Sequence, residues 1–244
     1  MNDSDIRNQI IIEDNNCVND NLSNLELLAK YSKNKKNLKL FKKLLLKDIN
    51  ISQINKLLND TITYVDSTAS IDVIKFLIKS GADINFQDSF FGWTALMNCS
   101  LRYMNSIETI NFLINNGADA NIKSKFDKTA LIYFMEKASD KDVFEIIKLL
   151  IRKSSQIYYK NKNGYSILMN CFNIICQDKL VMYNMIKLLL DNKLDIYVRN
   201  YSNKNILNIV EQTFGKNSDI YSLIFNFKNI IGDHFCEYDI YFIY

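Results

Sequence analysis

A single histidine, His234, is the one imidazole in the chain, and Asp233 and Cys236 stand close to it. A hydrolytic triad would need that base beside an activated nucleophile, and no Gly-x-Ser-x-Gly element is written anywhere. Zinc asks for about four ligands at defined spacing, and no second His/Cys cluster accompanies His234. The six glycines form no phosphate-cradling loop. Paired carboxylates such as Asp140 with Asp142, or Glu136 with Asp140, fall at helix ends and read as solvated surface. Five cysteines (Cys17, Cys99, Cys171, Cys176 and Cys236) follow no framework spacing and read as small apolar residues in a reducing compartment. These criteria argue against an enzyme and name no catalytic residue, no metal ligand and no cofactor.

One charged stretch stands out. Lys30 to Lys47 holds eight lysines and no acid, with Leu38, Phe41, Leu44 and Leu45 on one helical stripe. Such a helix can lie on an anionic membrane or nucleic acid, or it can pack its stripe on a neighbour and leave the lysines in water. The second reading suits its place near the start of the array described next.

The elements that must position any site are written as a repeat. Ile71–Leu96 reads IDVIKFLIKSGADINFQDSFFGWTAL and Ile107–Leu131 reads IETINFLINNGADANIKSKFDKTAL, with weaker copies over Phe144–Leu168 and Tyr183–Leu207. The turn positions 81, 117, 154 and 193 are 36, 37 and 39 apart. Within a copy, Ile107, Ile110, Leu113 and Ile114 form a stripe that buries one face of a helix. Gly81 and Gly117 stand where that helix must stop in a left-handed residue. Ser154 and Lys193 lack that freedom, so those two ends are expected to be strained or differently turned. Thr94, Thr129, Ser166 and Asn205 then stand in register as N-caps of the following helix.

A turn and two helices at a period near 33, with Gly-Ala-Asp-x-Asn twelve or thirteen residues before Thr-x-Leu, resembles the ankyrin repeat. The resemblance covers roughly residues 51–227 and is strongest over 71–131. It departs from the family pattern in two ways. The usual Thr-Pro-Leu-His is Thr-Ala-Leu-Met, Thr-Ala-Leu-Ile, Ser-Ile-Leu-Met and Asn-Ile-Leu-Asn, and the chain has no proline at all. A softer solenoid is expected, because the fixed helix start and the His tie between units are both missing. The fold class that the resemblance implies is an all-α solenoid of stacked helix-turn-helix units with short β-turn fingers.

The expected organisation is a loose acidic tail over 1–21, a capping helix pair over 22–50, the solenoid over 51–227 and a C-terminal tail over 228–244. That tail is adhesive and strand-like, and is expected to fold on the last repeat as a lid, with a short docking segment as the alternative. The fingers are expected at 85–93, 121–128, 158–165 and 197–204, the first one residue longer than the others.

In the ankyrin family the finger tips and the exposed side of the first helix line a concave binding face. By position, the resemblance places Phe90, Trp93, Arg102, Lys125, Phe126, Lys128, Lys162, Tyr165, Tyr201 and Lys204 on that face, with Ser89, Lys137, Asn163, Asn173 and Ser202 beside them. Aromatic anchors are what protein interfaces enrich, and Trp93, the one Trp, is the first candidate hot spot. The implied function is a non-catalytic scaffold holding a protein partner, with membrane or nucleic-acid binding through Lys30–Lys47 as the alternative.

The net charge of +3 is too small to imply nucleic acid by itself, and no apolar run reaches the roughly 18 residues of a membrane span. The acidic Met-Asn-Asp-Ser-Asp start does not resemble a signal peptide, which leads to a cytoplasmic expectation. The Asn/Lys/Ile-rich composition suits an AT-rich genome. In this the chain resembles ankyrin proteins of the giant-virus (mimivirus-like) type, which would put it in a host cytoplasm beside a host protein.

Overall fold

The computed structural model describes residues 29, 35–45, 49–64, 71–101, 107–136, 141–153, 160–174, 179–192 and 194–232. Eleven α-helices run through them. The first, α1 (Lys35–Leu45), precedes five pairs: α2 (Ile51–Tyr64) with α3 (Ile71–Lys79), α4 (Ala95–Asn98) with α5 (Ile107–Asn115), and α6 (Ala130–Met135) with α7 (Lys141–Lys153). The last two pairs are α8 (Ile167–Ile174) with α9 (Lys179–Asp191), and α10 (Ile206–Phe214) with α11 (Asp219–Gly232). The first helices α2, α4, α6, α8 and α10 pack on one another in sequence, forming an inner row. In the outer row α5 packs on α7 and α9 on α11. A helix pair cannot bury both its faces alone, so each unit's core is completed by the next.

The inner helices α4 and α6 are short, with four and six residues. The helix that Thr94 caps is an α-turn at Ala95–Asn98 continued as a 3₁₀ turn at Cys99–Leu101. All six residues of α6 are buried. A helix buried on every side leaves little exposed flank, so the surface next to the inner row falls to the fingers. At the other end, α11 runs to Gly232, beyond the expected end near residue 227.

The cap residues explain where these helices begin and end. Thr94 Oγ1 accepts from Met97 N (3.3 Å) and Ser166 Oγ from Met169 N (3.4 Å). Asn205 and Asn208 close a capping box of two reciprocal bonds. Thr129 departs from the expectation: its backbone has cap geometry (φ −86°, ψ 169°), but its side chain makes no capping bond. A further capping box at the start of α2, between Asn50 and Gln53, was not anticipated. Gly81 (φ +97°) and Gly117 (φ +96°) end α3 and α5 as read from the sequence. Ala82 N reaches Leu77 O and Gly81 N reaches Ile78 O, and the same pair of bonds recurs at Ala118 and Gly117. That double bond pattern satisfies the last carbonyls of each helix. Ser154 and Lys193 lie outside the described residues, as do 1–21, most of 22–34, and 233–244 with His234, Asp233 and Cys236.

Cys99 and Cys171 stand five residues after their caps and are both fully buried. Burial pushes the Cys99 thiol up to about 12 and raises that of Cys171 in the same direction. A raised folded value leaves stability intact below the unfolded thiol value near 9.0 and removes it as pH climbs toward about 12. Both thiols are expected to resist a disulfide reagent at pH 8 until urea unfolds the chain; reaction of either at the free-thiol rate in buffer would contradict their burial.

Among the described residues no helix is long and apolar enough to cross a membrane, and no group of His, Cys, Asp and Glu is placed to hold a metal ion.

Candidate functional site

Each finger is closed by one polar residue that recurs at the repeat spacing. Asp88, Ser124, Asn161 and Asn200 are 36, 37 and 39 apart. In every case its backbone N–H donates to the carbonyl of the residue before the next cap: Trp93 (2.9 Å), Lys128 (2.9 Å), Tyr165 (3.0 Å) and Lys204 (3.0 Å). Its side-chain oxygen accepts from amides of the loop it encloses. Asp88 takes those of Phe90, Phe91 and Trp93, Ser124 those of Phe126 and Lys128, Asn161 those of Asn163 and Tyr165, and Asn200 those of Ser202 and Lys204. Short polar side chains close such turns because they reach their own backbone two residues on. The loops then need one left-handed residue each, supplied by Gly92 (φ +67°), Asp127 (+58°), Gly164 (+77°) and Asn203 (+60°). The extra residue of the first finger, expected near Phe90–Phe91, lies inside this closure. The two ends of the third finger, Lys160 and Ser166, form an antiparallel β-bridge.

The fingers are joined sideways. Lys125 N donates to Phe91 O (2.9 Å), and its ammonium reaches Ser89 O. Gln87 Nε2 spans Gly92 O and Lys123 O (2.7 and 2.8 Å), and Tyr201 N reaches Asn163 O (3.4 Å). Asn85 ties one unit to the next, accepting from Asp119 N (2.8 Å) and donating to Gly117 O (3.1 Å). Gln87 and Asn85 escaped the sequence reading, as did the closing residue of each finger, whose 36-, 37- and 39-residue spacing would have shown it.

An aromatic strip crosses the first two fingers from water to core. Phe126 lies 6.0 Å from Phe91, Phe91 5.3 Å from Trp93, and Trp93 meets Tyr133 edge-on at 5.1 Å. Exposure falls along it, from 57% at Phe126 to 8% at Tyr133. Trp93 Nε1–H donates to Tyr133 Oη (2.8 Å), and that hydroxyl shares a second bond with Ser124 Oγ (2.9 Å). Trp93 is therefore half-buried and links its finger to the next inner helix, so it serves packing as well as any partner. Removing the hydroxyl in Tyr133→Phe strips the Trp93 and Ser124 groups of a shared partner and is expected to lower stability by about 1–2 kcal/mol in urea unfolding; an unchanged midpoint would exclude the link.

The remaining predicted residues separate into three groups. Phe90 (83% exposed) and Tyr201 (79%) stand at finger tips in water, with Lys125 and Lys162 also exposed. Tyr165 is partly buried against the core, and Lys128 lies 5.5 Å over the Tyr133 ring while pairing with Glu136. Lys204 donates to Gln212 Oε1 (2.8 Å). Arg102 and Lys137 lie outside the described residues, and of the Asn173 side chain nothing is described. In the basic helix α1, Phe41 and Leu45 are buried, Phe41 meets Phe76 edge-on, and Lys42 lies 5.4 Å over the Phe76 ring. Leu38, Phe41 and Leu45 of its apolar stripe are therefore engaged by the fold while Lys39 and Lys43 face water.

Helix pairs stacked in two rows, with rigid turns projecting along one edge, define a solenoid of repeats whose surface varies tip by tip. A family model described as ankyrin repeats (three copies) matches residues 25–124 and 100–200. The chain belongs to the ankyrin-repeat family. No curated protein matched the chain. Repeats of this family are in general modules of protein–protein interaction and typically carry no catalysis.

Proposed function

We propose that this protein is a non-catalytic adaptor that holds one protein partner along its finger tips and the concave face behind them. The observation that carries the reading is the row of large side chains kept in water, Phe90, Phe126 and Tyr201, on loops whose backbones are pinned by hydrogen bonds. Leaving such rings exposed is unfavourable for a free monomer, and ordering their loops in advance lowers the entropy lost on binding. The AT-rich composition supports a giant-virus origin, hence a host protein as partner and the host cytoplasm as the place of action.

The test is affinity capture from host-type lysate with wild type beside Phe90→Ala/Phe126→Ala. These two rings suit the test better than Trp93, whose loss would also weaken packing. Capture of a discrete protein at high salt is expected to fall about 30-fold, the effect of losing a hot-spot anchor, with the urea midpoint unchanged. Undiminished capture would refute the finger-face assignment.

A further inference from the structure

The four fingers differ in charge along the row. The first, 85–93, has no cation, and the second balances two of its three lysines through the Lys123–Asp127 and Lys128–Glu136 pairs. The third and fourth, 160–165 and 197–204, hold Lys160, Lys162, Arg199 and Lys204 and no acid. Arg199 donates to the Asn203 carbonyl (2.8 Å) and Lys204 to the Gln212 amide oxygen, both uncharged groups. Among the described residues none of these four cations pairs with a carboxylate. They sum to +4, against +1 for the first two fingers (Lys123, Lys125 and Lys128 less Asp88 and Asp127), so the cations are concentrated in this half of the edge. The opposite half carries Phe90 and Phe126.

We infer that the finger row takes one extended protein segment with an apolar or aromatic anchor at one end and a run of Asp or Glu at the other. This rests on the finger-face reading above and specifies its partner. Adjacent units are about 10 Å apart, the spacing of packed helices, so four fingers span about 30 Å. An extended chain covers that length in about nine residues at about 3.3 Å each. The anchor would lie between the Phe90 and Phe126 rings, and the acidic run would meet Lys160, Lys162, Arg199 and Lys204. The segregation favours a polypeptide over a nucleic acid, whose uniform phosphate charge would be matched by cations on all four fingers.

The test selects displayed random decapeptides on the immobilised full chain and titrates the enriched sequences against wild type, Phe126→Ala and Lys160→Gln/Lys162→Gln, with circular dichroism melting to verify folding. The expected outcome is peptides with an acidic run beside an aromatic or aliphatic anchor. Their affinity should fall about 30-fold in Phe126→Ala. In the lysine variant it should fall about 10-fold at about 50 mM salt and little at about 1 M, where screening is strong. With wild-type protein alone, interleaving acidic and apolar residues in the same peptide should weaken binding comparably. Neutral or basic peptides that are still lost in Phe126→Ala would overturn the acidic partner and leave the finger face standing. Acidic peptides indifferent to both variants would overturn both. An oligothymidine of about ten nucleotides binding more tightly than every peptide would overturn the inference in favour of nucleic acid.

Discussion

Replacing Leu131 by Ala is expected to lower stability by about 3 kcal/mol, the loss for a fully buried Leu whose site cannot collapse. Leu131 is buried in α6, the central inner helix, which packs on α4, α7 and α8. In a stack where units are stabilised mainly by their neighbours, a central defect weakens two interfaces and separates the halves on either side. The same truncation at Ile224, buried in the terminal helix α11, should instead loosen one end. Urea unfolding can tell these apart, because Trp93 fluorescence reports on the first fingers while circular dichroism reports on every helix. For Leu131→Ala both midpoints should fall by about 1–2 M and the two transitions should separate. Coincident transitions with a small shift would mean that the array folds as one indivisible unit.

Gly164→Ala is expected to be the most damaging change on the fingers, again by about 3 kcal/mol. A glycine-to-alanine change normally stabilises slightly by restricting the unfolded chain. Here φ is +77°, a conformation that disfavours a side chain by about 1–2 kcal/mol. The added Cβ would also stand 2.8 Å from the Tyr201 backbone nitrogen and 3.0 Å from its ring. That neighbour is backbone held by the closure of the fourth finger and cannot swing aside, so the two fingers must part. Gly81→Ala is the control: φ is +97°, but nothing lies within 4 Å of the new Cβ. It should show the conformational strain alone. Equal urea midpoints for the two variants would rule out the contact between fingers three and four.

The repeat and its helix stops at Gly81 and Gly117 were legible in the residues because they are local properties. An Ile/Leu stripe at helical spacing, a glycine where the helix must turn left-handed and a capping Thr, Ser or Asn each act within a few residues, and repetition at 36, 37 and 39 multiplies the signal. The solenoid followed from them, since a helix pair with two apolar faces must stack. Phe90, Lys125, Phe126 and Tyr201 could be placed on fingers for the same reason, by counting. What counting could not decide was which rings stay in water. Phe90 and Trp93 are three residues apart on one finger, yet one is free and the other is held by Tyr133, 40 residues further on. The cap at Thr129 likewise has the right residue and backbone and no bond. Whether a side chain points outward depends on what the next repeat sets against it. The sequence of a finger therefore determined its turn, while the neighbouring unit decided which of its rings a partner could reach.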